Sequence, residues 1–125
     1  MKAKILIVDD SSLARRTTRP VLEALGHTVE EAADGAQALE RYYLTRHDLV
    51  ILDMVMTGMY GLEVLAKMRE LNPEVRVIVA TADIQQSTQD EVRAAGAAAF
   101  IKKPLNRAAL GALVTKVLEG GAVWI

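Results

Sequence analysis

Asp48-Leu49-Val50-Ile51-Leu52-Asp53 is the stretch on which the fold turns. Four apolar residues run without a break and stop at a carboxylate. A short unbroken apolar run predicts a strand buried on both faces, and so a parallel sheet between two helix layers. In such sheets ligands bind outside the carboxyl ends of the strands, which makes Asp53 a candidate functional group. One more run ends in the same way, Ile5 to Val8 running into Asp9-Asp10, and a further strand, Val75 to Ala80, closes on Thr81.

Working outward, Ser11 and Ser12 are suitable N-caps for a first helix, in which Leu13, Thr17, Val21 and Leu25 recur at helical spacing. Pro20 inside that pattern predicts a kink or a disturbed first half, and Gly26 ends the helix. His27 to Ala33 reads as a more polar strand suited to a sheet edge, followed by a turn at Asp34-Gly35. Ala36, Leu39 and Tyr43 mark a second helix ending near Arg46. Past the central strand, a loop from Met54 to Gly61 leads to a third helix on Leu62, Leu65, Met68 and Leu71, stopped by Asn72-Pro73. Asp83, with Gln86 three residues on, is the expected cap of a fourth helix running through Val92 to Gly96. Ala97 to Ile101 is a fifth strand ending in Lys102-Lys103-Pro104. Leu110, Leu113, Val114, Val117 and Leu118 form the stripe of a last helix, which Gly120-Gly121 ends. In the short apolar tail, Ala122 to Ile125, Trp124 either docks or is incidental.

Five strand–helix units with short connections predict an α/β fold. It is a five-stranded parallel sheet with right-handed crossovers and helices on both faces, in the order 2-1-3-4-5 with the polar second strand at an edge. Residues 1–125 are read as one domain, with a core over 4–119 and a tail over 120–125.

Composition narrows the function. With 51% hydrophobic and 25% charged residues the chain is ordinary for a soluble globular protein. A net charge of −1 gives no reason to expect nucleic acid or an anionic membrane as partner. The absence of cysteine excludes disulfides, thiolate catalysis and cysteine-ligated metals. The N-terminal apolar stretch is too short for a signal peptide, and no run approaches the roughly 18 residues of a membrane span, so a cytoplasmic protein is the default. His27 and His47 lie beside turns and are expected to be exposed.

Parallel strands share a direction, so their ends deliver Asp9, Asp10, Asp53, Thr81 and Lys103 to one rim. Crowded carboxylates repel unless a cation neutralises them. Hard oxygen donors without His or Cys favour Mg²⁺, with Mn²⁺ able to substitute. A metal, an ammonium and a hydroxyl are the parts that stabilise a transferring phosphoryl group, and one carboxylate can then serve as nucleophile. Asp53, alone at the centre of the sheet, is the choice, with Asp9 and Asp10 as the metal-binding pair.

These residues resemble a known family. The acidic pair after strand one, Asp53 after strand three, Thr81-Ala82 after strand four and Phe100-x-x-Lys103-Pro104 after strand five look like a response-regulator receiver domain. The resemblance covers Lys4 to about Glu119 and is nearest the single-domain CheY-like type with its flavodoxin-like fold. It implies a phosphoacceptor switch of a two-component signalling system rather than an enzyme, active only in its own phosphorylation and dephosphorylation. Asp53 would take the phosphoryl group from a partner histidine kinase. Asp10 would ligate Mg²⁺ directly, Asp9 largely through water, and the backbone carbonyl of Val55 would be a further ligand. Lys103 would pair with phosphoryl oxygens and Thr81 would move to hydrogen-bond them. Phe100 would swing inward, altering a partner-binding face made by the fourth helix, fifth strand and fifth helix. A monomer or weak dimer with an unnamed protein target is implied.

The loop departs from the family's frequent Asp-x-x-Met-Pro-x-Met-Asp-Gly, since Thr57 replaces proline and Tyr60 replaces aspartate, while Met56, Met59 and Gly61 match. Val55 stands where many members carry a polar residue able to position water, which implies slow self-dephosphorylation and a role for an external phosphatase. Phe100 replaces the tyrosine commoner in chemotaxis members. Three other readings compete. A phosphatase of the haloacid dehalogenase type needs an acid two residues after its nucleophile, where this chain has Val55, which transfers no proton. A nucleotide or flavin binder needs a glycine-rich phosphate loop that is absent. A receiver-like scaffold that is never phosphorylated has no use for all five site groups.

Overall fold

The computed structural model describes residues 2–56, 58–120 and 122–124. Thr57, Gly121 and Ile125, which entered the reading of the loop, the last helix end and the tail, lie outside the described residues. The elements alternate as expected: β1 (Lys4–Val8), α1 (Ser12–Ala24), β2 (Thr28–Ala32), α2 (Gly35–Thr45), β3 (Leu49–Asp53), α3 (Gly61–Leu71), β4 (Val77–Thr81), α4 (Gln86–Ala94), β5 (Ala99–Lys102) and α5 (Arg107–Gly120). All strand pairings are parallel, and the sheet order is β2-β1-β3-β4-β5. The polar strand is at an edge.

Strand alternation splits the core in two. Ile5, Ile7, Leu49 and Ile51 face α1 and α5, while Leu6, Val8, Val50 and Leu52 face α2, α3 and α4. Each of these side chains is buried, which stabilises the fold by about 1.5–3 kcal/mol apiece. Because both faces of β3 are covered, its only polar side chain, Asp53, emerges at the strand end.

Several local expectations are corrected. α1 runs through Pro20 without interruption, and its buried face is Thr18 and Leu22, one position from the apolar stripe in the sequence. Leu13 and Leu25 of that stripe are exposed. The same offset occurs in α2, which buries Ala38 and Tyr42 and leaves Tyr43 in solvent. The residue at the cap position of α4 is Gln85, and Asp83 instead accepts from the Gln85 backbone N–H and the Thr88 hydroxyl. Asp34 caps α2 by accepting from the Gln37 N–H at 2.8 Å.

Both histidines are buried, contrary to expectation. His27 Nδ1 accepts from the Ala3 N–H at 3.1 Å, and burial holds its pKa below the ordinary histidine value. His47 stacks on Tyr42 with ring centroids 6.2 Å apart and puts Nε2 2.7 Å from Glu30.

The edge strand is tied down by charge. Arg15 and Arg19 of α1 reach Glu31 of β2 at 3.0 and 2.7 Å. The Arg19 hydrogen bond, opposed by burial and assisted by Arg15, holds the Glu31 carboxyl below its ordinary value. A depressed folded-state pKa stabilises the fold above the unfolded value, near 4.5, and that stability is lost as pH falls through the folded value. Arg15 and Glu31 are half-buried, which puts the clamp near the upper end of surface pairs, while the more exposed Arg19 is screened by solvent. Glu31→Gln should therefore cost about 1 kcal/mol at neutral pH. Denaturant unfolding should show the gap between parent and variant closing as the pH is taken below the folded-state value.

Candidate phosphoryl and metal site

Asp9 follows β1, Asp53 is the last residue of β3, Thr81 the last of β4, and Lys103 follows β5. The parallel register brings these ends to one rim. One carboxylate oxygen from each of Asp9, Asp10 and Asp53 lies within 4.8 Å of the others. Asp9 and Asp53 are buried, while Asp10 is exposed. The Lys103 ammonium bridges the first two, 3.1 Å from Asp9 Oδ2 and 3.3 Å from Asp53 Oδ1. The second Asp9 oxygen accepts from the Ser11 N–H at 2.9 Å, while Ser11 caps α1 with its hydroxyl. Asp9 is thereby held on both sides.

The electrostatics follow from this crowding. Burial, then repulsion from Asp9, raises the Asp53 pKa above the ordinary carboxylate value. Lys103 and the Val55 backbone N–H pull the other way without cancelling the rise. Burial works against the Lys103 charge too, but Asp9 and Asp53 outweigh it and hold the ammonium above its usual pKa. Lys103 thus serves two of the three clustered acids, Asp9 and Asp53. The carboxylate donors are all hard oxygens, a set that suits Mg²⁺ or Mn²⁺ and not a soft metal.

The other predicted residues divide. Thr81 is buried at the rim, but its hydroxyl accepts from the Asp83 N–H at 3.0 Å and makes a longer contact with the Asp83 carbonyl at 3.4 Å, so it is turned toward the β4–α4 loop. The Val55 side chain is exposed. Phe100 is half-buried on β5, stacked on Trp124 with centroids 6.0 Å apart.

Gly61 has a steric reason to be glycine: a Cβ there would strike the Asp53 carbonyl oxygen and lie 2.8 Å from the Met54 Cα. Close approach of backbones is the standard use of a missing side chain.

Two contacts were not anticipated. Arg15 donates to the Asp9 backbone carbonyl at 2.6 Å while paired to Glu31, linking the rim to the sheet edge. Tyr60, which takes the place of the family's aspartate, donates its hydroxyl to Glu91 of α4 at 3.2 Å. Burial and the Glu91 carboxylate push the phenol pKa up, which keeps that donor protonated. Neither partner lies within one helical turn of the other, so no local signal announces them.

The sequence model of the response regulator receiver domain family matches residues 5–115. The chain belongs to that family. Bacillus subtilis CheY, a chemotaxis protein, is 35% identical over 120 residues, covering 95% of this chain and all of the relative. Sporulation initiation phosphotransferase F of the same organism is 38% identical over 106 residues, 85% of this chain and 86% of the relative. Among solved structures, a CheY-like receiver domain protein from Methanospirillum hungatei has a TM-score of 0.90 at 30% identity, covering 97% of each chain. Vibrio cholerae CheY4 has a TM-score of 0.89 at 31% identity, covering 94% of this chain and 99% of the other. This receiver domain of a two-component response regulator is a phosphoacceptor rather than a conventional enzyme, and the phosphatase and scaffold readings are not favoured. Among the described residues no helix is long and apolar enough to cross a membrane.

The raised Asp53 pKa carries a stability consequence. A raised folded-state pKa contributes stability below the unfolded value, and that stability is lost as pH rises through the folded value. Above its folded-state value the charged Asp53 therefore weighs against the fold. Metal-free Asp53→Asn should melt above the parent in thermal unfolding. A divalent cation at ten times its dissociation constant should stabilise the parent by about 1.4 kcal/mol and the variant by less.

Proposed function

We propose that Asp53 is the phosphoacceptor and that a phosphohistidine of a partner kinase is the donor. An Asp53 carboxylate oxygen forms the new bond to phosphorus as the phosphorus–nitrogen bond breaks. The histidine nitrogen leaves with the bonding pair and regains a proton. Asp9, Asp10, Asp53 and the Val55 backbone carbonyl would hold Mg²⁺, with Mn²⁺ acceptable to the same donors. When bound, the cation neutralises charge on the phosphoryl oxygens. Lys103 supplies a second positive charge from within the pocket, and its ammonium shifts from the bare carboxylates to a phosphoryl oxygen. Thr81 turns its hydroxyl from Asp83 toward the same group.

The observation that carries this reading is the Lys103 ammonium, seated 3.1 and 3.3 Å from two of three clustered carboxylates. A charge of about −1.5 to −2 added there is large enough to bias a two-state element. The readout is the face made by α4, β5 and α5, with Phe100 turning inward to change its shape for a protein target. A chemotaxis-type role and a cytoplasmic location accord with this, supported by the likeness to CheY proteins.

Incubation with a small acyl-phosphate donor and Mg²⁺ should add the mass of one phosphoryl group to the parent and none to Asp53→Asn, read by intact-protein mass spectrometry. An unmodified parent would end the proposal.

The exposed apolar Val55 side chain cannot hydrogen-bond an attacking water, which favours a long-lived phosphorylated form served by an external phosphatase. Val55→Asn should speed spontaneous loss of the phosphoryl group on the order of tenfold by positioning that water. Following the phosphorylated mass over time checks this.

A further inference from the structure

Residues 122–124 follow α5 and lie against the residues that lead into β5. The Val123 N–H donates to the Ala98 carbonyl at 2.6 Å, and the Trp124 indole N–H donates to the Ala97 carbonyl at 3.1 Å. On its other side Ala98 is tied to the neighbouring strand, its N–H donating to Val77. Edge strands carry unpaired backbone groups that invite a partner, and here two carbonyls leading into the edge strand have been taken.

The segment also bridges both layers of the core. Val123 packs with the α1/α5 cluster, whereas Trp124 packs with the α2/α3/α4 cluster. The indole stacks on Phe100 at an interplanar angle of 25°, and the Arg93 guanidinium of α4 lies 5.6 Å from its ring centroid. One hydrogen bond, one ring stack and one cation–π contact therefore converge on a single side chain.

We propose that Val123–Trp124 is an intramolecular ligand of the α4–β5 face, one that holds Phe100 in its present position and must be displaced by any protein that takes this face. Its coupling to phosphorylation rests on the reading of Asp53 above. β5 links the two ends physically. Phe100 is three residues from Lys103, and it pairs with Val79 on the strand that ends in Thr81. When Lys103 and Thr81 are drawn to a phosphoryl group, Phe100 leaves the indole and removes its stacking partner.

Trp124 is the only tryptophan in the chain, so intrinsic fluorescence reads this contact alone. In acrylamide quenching the parent should be shielded relative to free N-acetyltryptophanamide. Arg93→Ala should shift the docked-to-undocked ratio roughly two- to five-fold toward the quenched form. Phe100→Ala should raise quenching as well, with thermal melting checking its fold. If that variant does not fold, Arg93→Ala decides alone, because Arg93 is exposed on α4. A parent quenched like the free indole, or an Arg93→Ala variant no different from the parent, overturns the docking.

In the second arm, an acyl-phosphate donor with Mg²⁺ should raise quenching in the parent and leave Asp53→Asn unchanged. A parent that gains the phosphoryl mass with quenching unaltered overturns the coupling and spares the Asp53 reading. A parent that gains no mass overturns that reading and the coupling with it, and the first arm still judges the docking.

Discussion

Three carboxylates and one ammonium are held at the same end of a parallel sheet, and the balance among them governs the site. Strands that run the same way must finish on the same rim, so a carboxylate at the end of β3 meets the acids that follow β1 and the lysine that follows β5. Lys103 lies within about one hydrogen bond of both Asp9 and Asp53, yet burial and Asp9 still leave the Asp53 carboxyl above its ordinary pKa. Clustered hard-oxygen donors of this kind suit a divalent cation.

The surroundings of this cluster are built for close approach. Gly61 lets the start of α3 lie against the end of β3, so the loop carrying Val55 stays beside Asp53. The Thr81 hydroxyl accepts from the Asp83 N–H in the β4–α4 loop and donates only a long 3.4 Å contact to the Asp83 carbonyl, which a better-placed acceptor can replace at small cost. Tyr60 joins the loop after Asp53 to α4 through Glu91. The rim therefore meets α4 at two places, through Asp83, which holds Thr81 and Thr88, and through the phenol. The α4–β5 surface, in turn, is already occupied by Trp124.

Much of this was legible in the chain. Apolar runs ending in Asp9-Asp10, Asp53 and Thr81 identify buried parallel strands because covered strands need apolar side chains on both faces. Strand order followed from the polarity of β2. Helix faces were read one position away in α1 and α2. An apolar stripe says that a helix has a dry side, but the sheet's position decides which residues meet it: Thr18 and Leu22 do, and Leu13 does not. Short-range chemistry also misled at Asp83, which caps its own loop rather than α4.

The sequence by itself determined the sheet, its order and the set of groups gathered at its rim, because these depend on strand direction and on two-residue and helical periodicities written locally. Only tertiary structure decided the partners made across distance. His47 is buried because Glu30 and Tyr42 come together around it, and Thr81 faces Asp83 rather than the acids. Trp124 found Ala97, Phe100 and Arg93 across the sheet edge, a meeting that no spacing along the chain encodes because it depends on where α5 releases the backbone.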